Sequence, residues 1–162
     1  MKTCVFAGTF DPFTQGHEYV VNKCLDIFDK VIIAVGVNVS KQPYFDLEER
    51  IEIIKNTFNG NDKIEICSYS GMLVDFMRDK GVVTTVRGIR NQDDYKYETT
   101  MAQYNQDMYP ECITLYIPTP LSLAHVSSSA MRNIISLKGD ISPYVPKNSV
   151  ELINKIIKEK SK

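Results

Sequence analysis

Short, nearly continuous apolar runs alternate with helix-like segments along this chain, and the alternation limits the folds that the sequence can adopt. The runs are rich in β-branched residues, which is typical of strands buried on both faces of a sheet. They cover residues 5–7, 31–37, 64–67, 82–86 and 113–117. Strands in series with helices predict an α/β fold in which right-handed crossovers build a parallel sheet.

Helical patterns fill the segments between the runs. The first begins at His17, and the second opens with the capping-box spacing Asp46-x-x-Glu49. Further helices are predicted over 71–80, 93–108, 128–137 and 150–158, with a frayed tail from residue 158. The sequence therefore predicts one domain over residues 1–162: a Rossmann-like, doubly wound, five-stranded parallel sheet with helices on both faces and a C-terminal helix.

Charge and cysteine usage exclude several classes of protein. A formal net charge of −1 without a basic stripe argues against nucleic acid or an anionic membrane as partner. No run reaches the roughly 20 apolar residues of a membrane span, and no secretory signal precedes the first strand. The four cysteines lie far apart without a Cys-x-x-Cys pair, which predicts free thiols in the cytoplasm and argues against a metal or disulfide framework.

The segment after the first strand carries the clearest functional signal. It reads Thr9-Phe-Asp-Pro-Phe-Thr-Gln-Gly-His17 and leads into a helix. A helix N-terminus has free N–H groups and a partial positive charge, so it favours anions, and Gly16 allows close approach of a ligand to the backbone. His17 adds a hydrogen-bond donor. A buried structural histidine is the alternative, but the agreement of strand, glycines and helix favours a nucleotide-phosphate site.

Polar residues also follow three other strands. Ligands of doubly wound sheets bind beyond the carboxyl ends of the strands, so these segments are expected to meet the first one at a single edge. They are residues 38–41, 87–90 and 118–129.

Arg87 and Arg90 bracket Gly88, and two guanidinium groups beside a small residue suit bidentate contact with phosphate. The alternative is a pair of salt bridges with carboxylates at Asp93, Asp94 or Glu98.

The remaining candidates also have two interpretations. Lys41 is either a phosphate ligand or a solvated loop charge, and the serines at 127–129 either grip a phosphate or cap a helix. Glu98, expected near Arg90, either accepts a hydrogen bond from a ribose or base or forms an ion pair. No nucleophile–base constellation is evident, which favours phosphoryl or nucleotidyl transfer by positioning and charge stabilisation.

These motifs together resemble a known family. Residues 8–17 resemble the signature of the Thr/His-x-Gly-His nucleotidyltransferase superfamily. Further motifs, in matching order and spacing, resemble the bacterial phosphopantetheine adenylyltransferase family over nearly the whole chain. They are Ser40-Lys41, Leu47-Glu48-Glu49-Arg50, Arg87-Gly88-Ile89-Arg90, Tyr97-Glu98 and Ser127-Ser128-Ser129.

The resemblance implies that ATP and 4′-phosphopantetheine react with Mg²⁺ to give dephospho-coenzyme A and pyrophosphate. It also implies a cytoplasmic homohexamer, built as a dimer of trimers, that coenzyme A inhibits by feedback. We expect in-line attack without a covalent intermediate, with His17, Lys41 and Arg90 as catalytic residues. Arg90 and the Ser127–Ser129 helix would hold the departing phosphates.

The resemblance also assigns binding residues. Those for phosphopantetheine are Thr9, Lys41, Val74 and Arg87. Those for ATP are Thr9, Phe10, His17, Gly88, Ile89, Arg90, Glu98, Leu123, Ala124, His125, Val126, Ser127, Ser128 and Ser129. Phe10 would lie against the nucleotide.

The sequence departs from the family pattern at two places. The family commonly has an aromatic residue, serine and phenylalanine where Leu123, Ala124 and His125 stand, which bears on the adenine contacts. Val74 replaces a commonly larger apolar residue, which bears on the pantetheine pocket.

Two other functions remain open at this point. A sister nucleotidyltransferase would use nicotinamide mononucleotide or glycerol phosphate as acceptor, and the motif at residues 87–90 argues against it. A sensor of nucleotide or coenzyme A would bind without turnover. Such a sensor does not need the transition-state groups at Thr9, His17, Lys41 and Arg90.

Overall fold

The chain alternates strands with helices, as its apolar pattern predicts. A computed structural model describes all residues, 1–162. The strands are β1 (Thr3–Gly8), β2 (Lys30–Val37), β3 (Ile64–Ser70), β4 (Thr84–Ile89) and β5 (Ile113–Pro118). The α-helices are α1 (Gln15–Ile27), α2 (Leu47–Phe58), α3 (Leu73–Asp79), α4 (Gln92–Met108), α5 (Ser128–Ser136) and α6 (Val150–Lys160).

All five strands are parallel, in the order β3-β2-β1-β4-β5. The chain therefore winds outward from β1 in one direction through β3 and then in the other direction through β5. This confirms the predicted doubly wound sheet. The winding reverses between β1 and β4, and a crevice forms beyond the carboxyl ends of two neighbouring strands at such a point.

Both faces of the sheet are covered. Alternate residues of β1 enter separate apolar clusters, because successive strand side chains point to opposite faces. Cys4 and Phe6 lie in a cluster of 20 buried residues that includes side chains of α1, α2, α5 and α6. Val5 and Ala7 lie in a cluster of 7 buried residues with Met77 of α3.

Several predicted boundaries were wrong, and two of the differences matter for the site. The first helix starts at Gln15, because extended Thr14 (φ −117°, ψ 171°) is its N-cap and accepts from the His17 N–H, so His17 is the third helical residue. Strand β4 begins two residues later than predicted and continues through Ile89, paired with Pro118 of β5. Arg87 and Gly88 therefore lie within a strand, since backbone pairing does not require apolar side chains.

Other boundaries also differ: β1 spans Thr3–Gly8, β3 continues to Ser70, and α3 begins at Leu73. Helix α6 continues to Lys160, so the predicted frayed tail is shorter than expected. The four cysteines are free, and three of them are buried while Cys67 is partly exposed. No helix is both long and apolar enough to cross a membrane.

Candidate active site

A cavity of about 420 Å³ opens at the carboxyl ends of β1 and β4, where the winding of the sheet reverses. This volume is in the range that small-molecule sites occupy. A depression of about 590 Å³ lies at the amino end of the sheet, around Met1, Lys30 and Lys80. None of the predicted site residues lines it, and Lys30 and Lys80 are both paired with Glu65. The cavity of about 420 Å³ is therefore the better candidate for the active site.

Most of the candidate residues line this one cavity, although they come from four separate segments. These are Thr9, Phe10, His17, Lys41, Arg87, Gly88, Arg90, Glu98, Val126, Ser127, Ser128 and Ser129. The parallel sheet brings them together because its strands all end at the same edge.

Five candidates lie outside the cavity lining. Val74 is buried, with 1% of its surface exposed, and Ile89 ends β4. Leu123 is the last residue of a short 3₁₀ segment, Leu121–Leu123, and Ala124 follows it. His125 is exposed and packs edge-on against the Tyr144 ring.

His17 is oriented by its own helix cap. The Thr14 N–H donates to Nδ1 of His17 at 3.0 Å, and the Thr14 hydroxyl lies 3.1 Å from the same nitrogen. A backbone N–H can only donate, so Nδ1 must carry a lone pair and the proton of a neutral ring must be on Nε2. Nε2 has no protein partner, and no buried side-chain nitrogen lacks one, so this N–H is accessible from the cavity.

The charge state of His17 follows from its surroundings. Burial lowers its pKa to about 3, with smaller contributions from the positive charges of Arg90 and Arg87. The rings of Phe10 and Phe13 lie with centroids 5.0 and 5.3 Å from the imidazole. The ring is therefore neutral at physiological pH and donates through Nε2.

The two arginines are held by carboxylates one turn apart on α4. Nε and Nη2 of Arg87 donate to the two oxygens of Glu98 at 2.8 and 2.9 Å. Arg90 donates to Asp94 through its backbone N–H and its Nε, each at 3.0 Å. Glu98, which was expected near Arg90, thus pairs with Arg87. Both guanidinium groups are fixed before any ligand arrives.

Lys41 is the cavity's cation without an ionic partner. It lies on an exposed loop between β2 and α2, whose tip is shaped by Asn38: the Asn38 side chain accepts from the N–H and hydroxyl of Ser40. The lining contains four basic side chains against two acidic ones, each of the latter bound to an arginine. The cavity therefore carries a positive excess, which favours an anionic ligand.

The three serines have separate contacts. Ser127 is the N-cap of α5 and accepts from the Ala130 N–H, while Ser128 donates to the Pro12 carbonyl at 2.8 Å. Ser129 accepts from Arg132. Capping is thus the role of one serine only, and another ties the start of α5 to the loop after β1. The N–H groups of Ser128 and Ser129 precede the first intrahelical bond and remain free to meet an anion.

Close packing explains two glycines of the site. A Cβ on Gly8 would lie 2.9 Å from the Phe10 ring, which is 3% exposed and belongs to the core. A Cβ on Gly88 would lie 2.9 Å from Cγ2 of Val20, so Gly88 lets α1 approach β4. Gly8 therefore makes room for the Phe10 ring. The Phe10 side chain is mostly covered by protein.

Several lining residues were not among the predicted site residues, including Gln42, Asp94, Thr119 and Arg132. Two of them had a readable signal. Asp94 was predicted only as a possible salt-bridge partner of the arginines, and it stands four residues after Arg90, the spacing of a helical ion pair. Thr119 lies in the predicted polar segment 118–129. Arg132, which donates to the Asp11 carbonyl at 2.7 Å, had no signal beyond its place one turn into α5.

The fold and this cavity define a class of protein. The cytidylyltransferase-like family model matches residues 5–134, most of the chain. Solved structures share the fold at low identity. A bifunctional NMN adenylyltransferase/ADP ribose pyrophosphatase from Francisella tularensis has a TM-score of 0.76 at 19% identity, over 100% of this chain and 51% of that one. A protein described as a nicotinate-nucleotide adenylyltransferase from Vibrio parahaemolyticus has a TM-score of 0.69 at 19% identity, over 97% and 95%.

Sequence relatives identify the family within that class. A protein of Campylobacter fetus subsp. fetus named phosphopantetheine adenylyltransferase is 40% identical over 94% of this chain and 96% of its own length. A protein of the same name from Cytophaga hutchinsonii is 38% identical over 90% and 97%. The chain belongs to the phosphopantetheine adenylyltransferase family, which confirms the resemblance found in the sequence.

Proposed function

We propose that this protein transfers the adenylyl group of ATP to 4′-phosphopantetheine, giving dephospho-coenzyme A and pyrophosphate in coenzyme A synthesis. One observation carries the proposal: the Nε2–H of a neutral His17 and the unpaired charge of Lys41 line the same cavity as two fixed arginines. Two phosphate-bearing substrates that react with each other require such an array of donors and positive charge. Membership of the family supplies the identity of the acceptor.

The reaction proceeds, in this proposal, by in-line attack of a phosphopantetheine phosphate oxygen on the α-phosphorus of ATP. The bond from the α-phosphorus to the bridging oxygen breaks, and pyrophosphate leaves. The attacking phosphate is already anionic, so no enzyme base or covalent intermediate is needed. The residues then act by positioning and by stabilising charge.

His17 is placed to stabilise the negative charge that accumulates on the α-phosphate in the transition state. Its Nε2–H donates to a non-bridging oxygen, and Thr9 stands beside it at the end of β1. Because the ring is already neutral, the donor is present throughout the physiological pH range. Lys41 adds a positive charge at the point where the two phosphates meet.

Each end of the cavity receives one substrate. Arg90 and the free N–H groups at the start of α5 hold the β- and γ-phosphates of ATP, and Asp94 keeps the arginine in place. Lys41 and Arg87 hold the phosphate of phosphopantetheine, with Glu98 fixing the Arg87 fork. Glu98 therefore acts first as the partner of Arg87 in this proposal.

Mg²⁺ fits this cavity as a companion of the nucleotide. No group of three or more His, Cys, Asp or Glu side chains could hold a metal, and both carboxylates of the lining are paired with arginines. Mg²⁺ is commonly bound through substrate phosphates with few protein ligands. When bound to ATP, it would neutralise phosphate charge alongside Arg90 and Lys41.

The assembly and its regulation are also part of the proposal. The family resemblance suggests a homohexamer built as a dimer of trimers, located in the cytoplasm and inhibited by coenzyme A. Exposed apolar side chains on α4 and the edge strand β5 support an assembly, among them Tyr97 (63% exposed) and Ile113 (51%). The free cysteines support a reducing compartment. Native mass spectrometry and inhibition by added coenzyme A test these points.

The deciding experiment measures pyrophosphate release with ATP, Mg²⁺ and 4′-phosphopantetheine, with mass spectrometry of the product. Dephospho-coenzyme A that forms only when both substrates are present supports the proposal. Nicotinamide mononucleotide and glycerol phosphate serve as alternative acceptors in the same assay. Turnover with either of these but not with phosphopantetheine overturns the acceptor, and ATP binding without any turnover indicates a sensor.

A further inference from the structure

Two buried charged residues, Asp11 and Arg50, lie next to the cavity without lining it. Each is 3% exposed, and their hydrogen bonds go to backbone groups of the loops around the site. Burying a charge is costly unless it is paired or well hydrogen-bonded. Their partners therefore indicate what these charges hold in place.

Asp11 holds the segment that follows Lys41. Its two carboxylate oxygens accept from the N–H groups of Tyr44 and Phe45, at 2.9 and 2.8 Å. Neither residue belongs to a helix or strand, so their N–H groups have no ladder partners. Arg132, whose nearest side-chain nitrogen is 3.9 Å from the Asp11 carboxylate, is one of the cations beside it.

Arg50 holds the segment that precedes Lys41. Its Nη1 donates to the carbonyl of Gly36 in β2 at 3.1 Å and to the carbonyl of Thr9 at 2.8 Å. Its Nε donates to the Asp46 carbonyl at 3.3 Å. One guanidinium thus fixes the end of β2 against the loop after β1, where Thr9 lies.

Residues 38–43, which we call the Lys41 loop, lie between these two anchors. Val39 is 98% exposed, and the Lys41 side chain has no hydrogen-bond or ionic partner. The volume that the Lys41 ammonium can reach is therefore set by the ends of the loop. Those ends are where Arg50 and Asp11 bond.

We propose that Asp11 and Arg50 are positioning residues that act through Lys41, by fixing both ends of the loop that carries it beside the phosphate-binding cavity. The inference rests on the proposed adenylyl transfer. Displacement of a reacting group by about 1 Å can lower a rate about 100-fold, so loss of either anchor lowers turnover although neither touches substrate.

A double-mutant cycle tests the coupling. Asp11→Asn removes the charge and one of the two acceptors, and we expect it to lower kcat about 10- to 100-fold in the wild-type background. In a Lys41→Ala background the same change should lower kcat less than about twofold, because the group through which it acts is gone. Equal losses in both backgrounds would overturn the proposal. If Asp11→Asn does not fold, the same cycle with Arg50→Lys decides, with the same two outcomes.

A second readout is independent of turnover. Hydrogen exchange of the peptide covering residues 37–46 should become faster in Asp11→Asn, whereas exchange around His17 should not change. Unchanged exchange at 37–46 would overturn the proposal even if activity fell.

Ser149→Ala is the matched control. Ser149 is a buried polar residue that bonds to Thr57 and to the Ile53 carbonyl, away from the cavity. The Ser149→Ala change should lower the free energy of unfolding while leaving kcat and the hydrogen exchange of residues 37–46 unchanged. If wild-type protein makes no dephospho-coenzyme A, the proposed function fails, whereas the exchange experiment still tests the anchoring of the loop.

Discussion

Thr14 fixes both the position and the tautomer of His17 from only three residues away. The Thr14 N–H donates to Nδ1 of the ring at 3.0 Å while its hydroxyl caps the same helix. This capping box usually has an acidic or amide side chain as its second member, and here an imidazole takes that place. The interaction that starts the helix therefore also directs the Nε2–H to the cavity.

Removal of the His17 ring should lower turnover without abolishing substrate binding. His17→Ala is expected to lower kcat about 10²–10³-fold, by analogy with the loss of one oxyanion donor. Pyrophosphate release at saturating substrates is the measurement. The matched variant is His17→Gln. Its amide can still donate a hydrogen bond, so its kcat should fall less than that of His17→Ala. Near-normal kcat in His17→Ala would contradict the donor role.

The low pKa of His17 predicts a particular dependence of stability on pH. The folded pKa of about 3 lies below the ordinary value of 6.5, so the unfolded chain binds this proton more readily between those values. The contribution of His17 to the free energy of unfolding is therefore full above pH 6.5 and is lost as pH falls toward 3. The slope of this free energy against pH is at most about 1.4 kcal/mol per pH unit. Urea unfolding between pH 4 and 7 should show a shallower slope in His17→Gln; parallel curves would argue that the ring is not desolvated.

Lys41 should matter for activity and not for stability. Its side chain is exposed and unpaired, so Lys41→Ala is expected to leave the thermal midpoint unchanged. We expect kcat/KM to fall at least about 10-fold, in the range typical of a lost charged contact to substrate. Lys63→Ala, an exposed lysine before β3 at the far end of the sheet, is the control and should keep full activity.

Arg87 and Glu98 should behave as one unit. The pair is half-buried and bidentate, and either single change leaves a charge without its partner. Glu98→Gln and Arg87→Met should each lower the free energy of unfolding by about 1–3 kcal/mol. The double variant should lose less than the sum of the two. Strict additivity in chemical denaturation would show that the pair is not coupled.

Two glycines of the site should respond differently to alanine. Gly88→Ala is expected to cost about 1–3 kcal/mol, because its Cβ would overlap Val20. Adding Val20→Ala should restore part of that stability. At Gly16 a Cβ would meet its nearest protein atom at 3.5 Å, an ordinary contact, so Gly16→Ala should fold normally. Thermal unfolding of the three variants checks the contrast.

The sequence by itself determined the alternation of elements and the segments that carry the chemistry. Apolar runs such as 31–37 are readable because a strand buried on both faces tolerates few polar residues. The motif at residues 9–17 is readable because the end of a strand, the turn residues and the start of a helix are all local signals. The doubly wound sheet and the family followed from these features.

Only the tertiary structure decided how the charges pair and which groups stay free. Glu98 could face Arg87 or Arg90 on spacing alone, and the packing of α4 against β4 brings it to Arg87. The bonds from Asp11 and Arg50 to the two sides of the Lys41 loop join residues 14 to 41 positions apart in sequence, and no local pattern encodes them. The neutral state of His17 likewise depends on burial beside two arginines, which exists only once the strands meet at one edge.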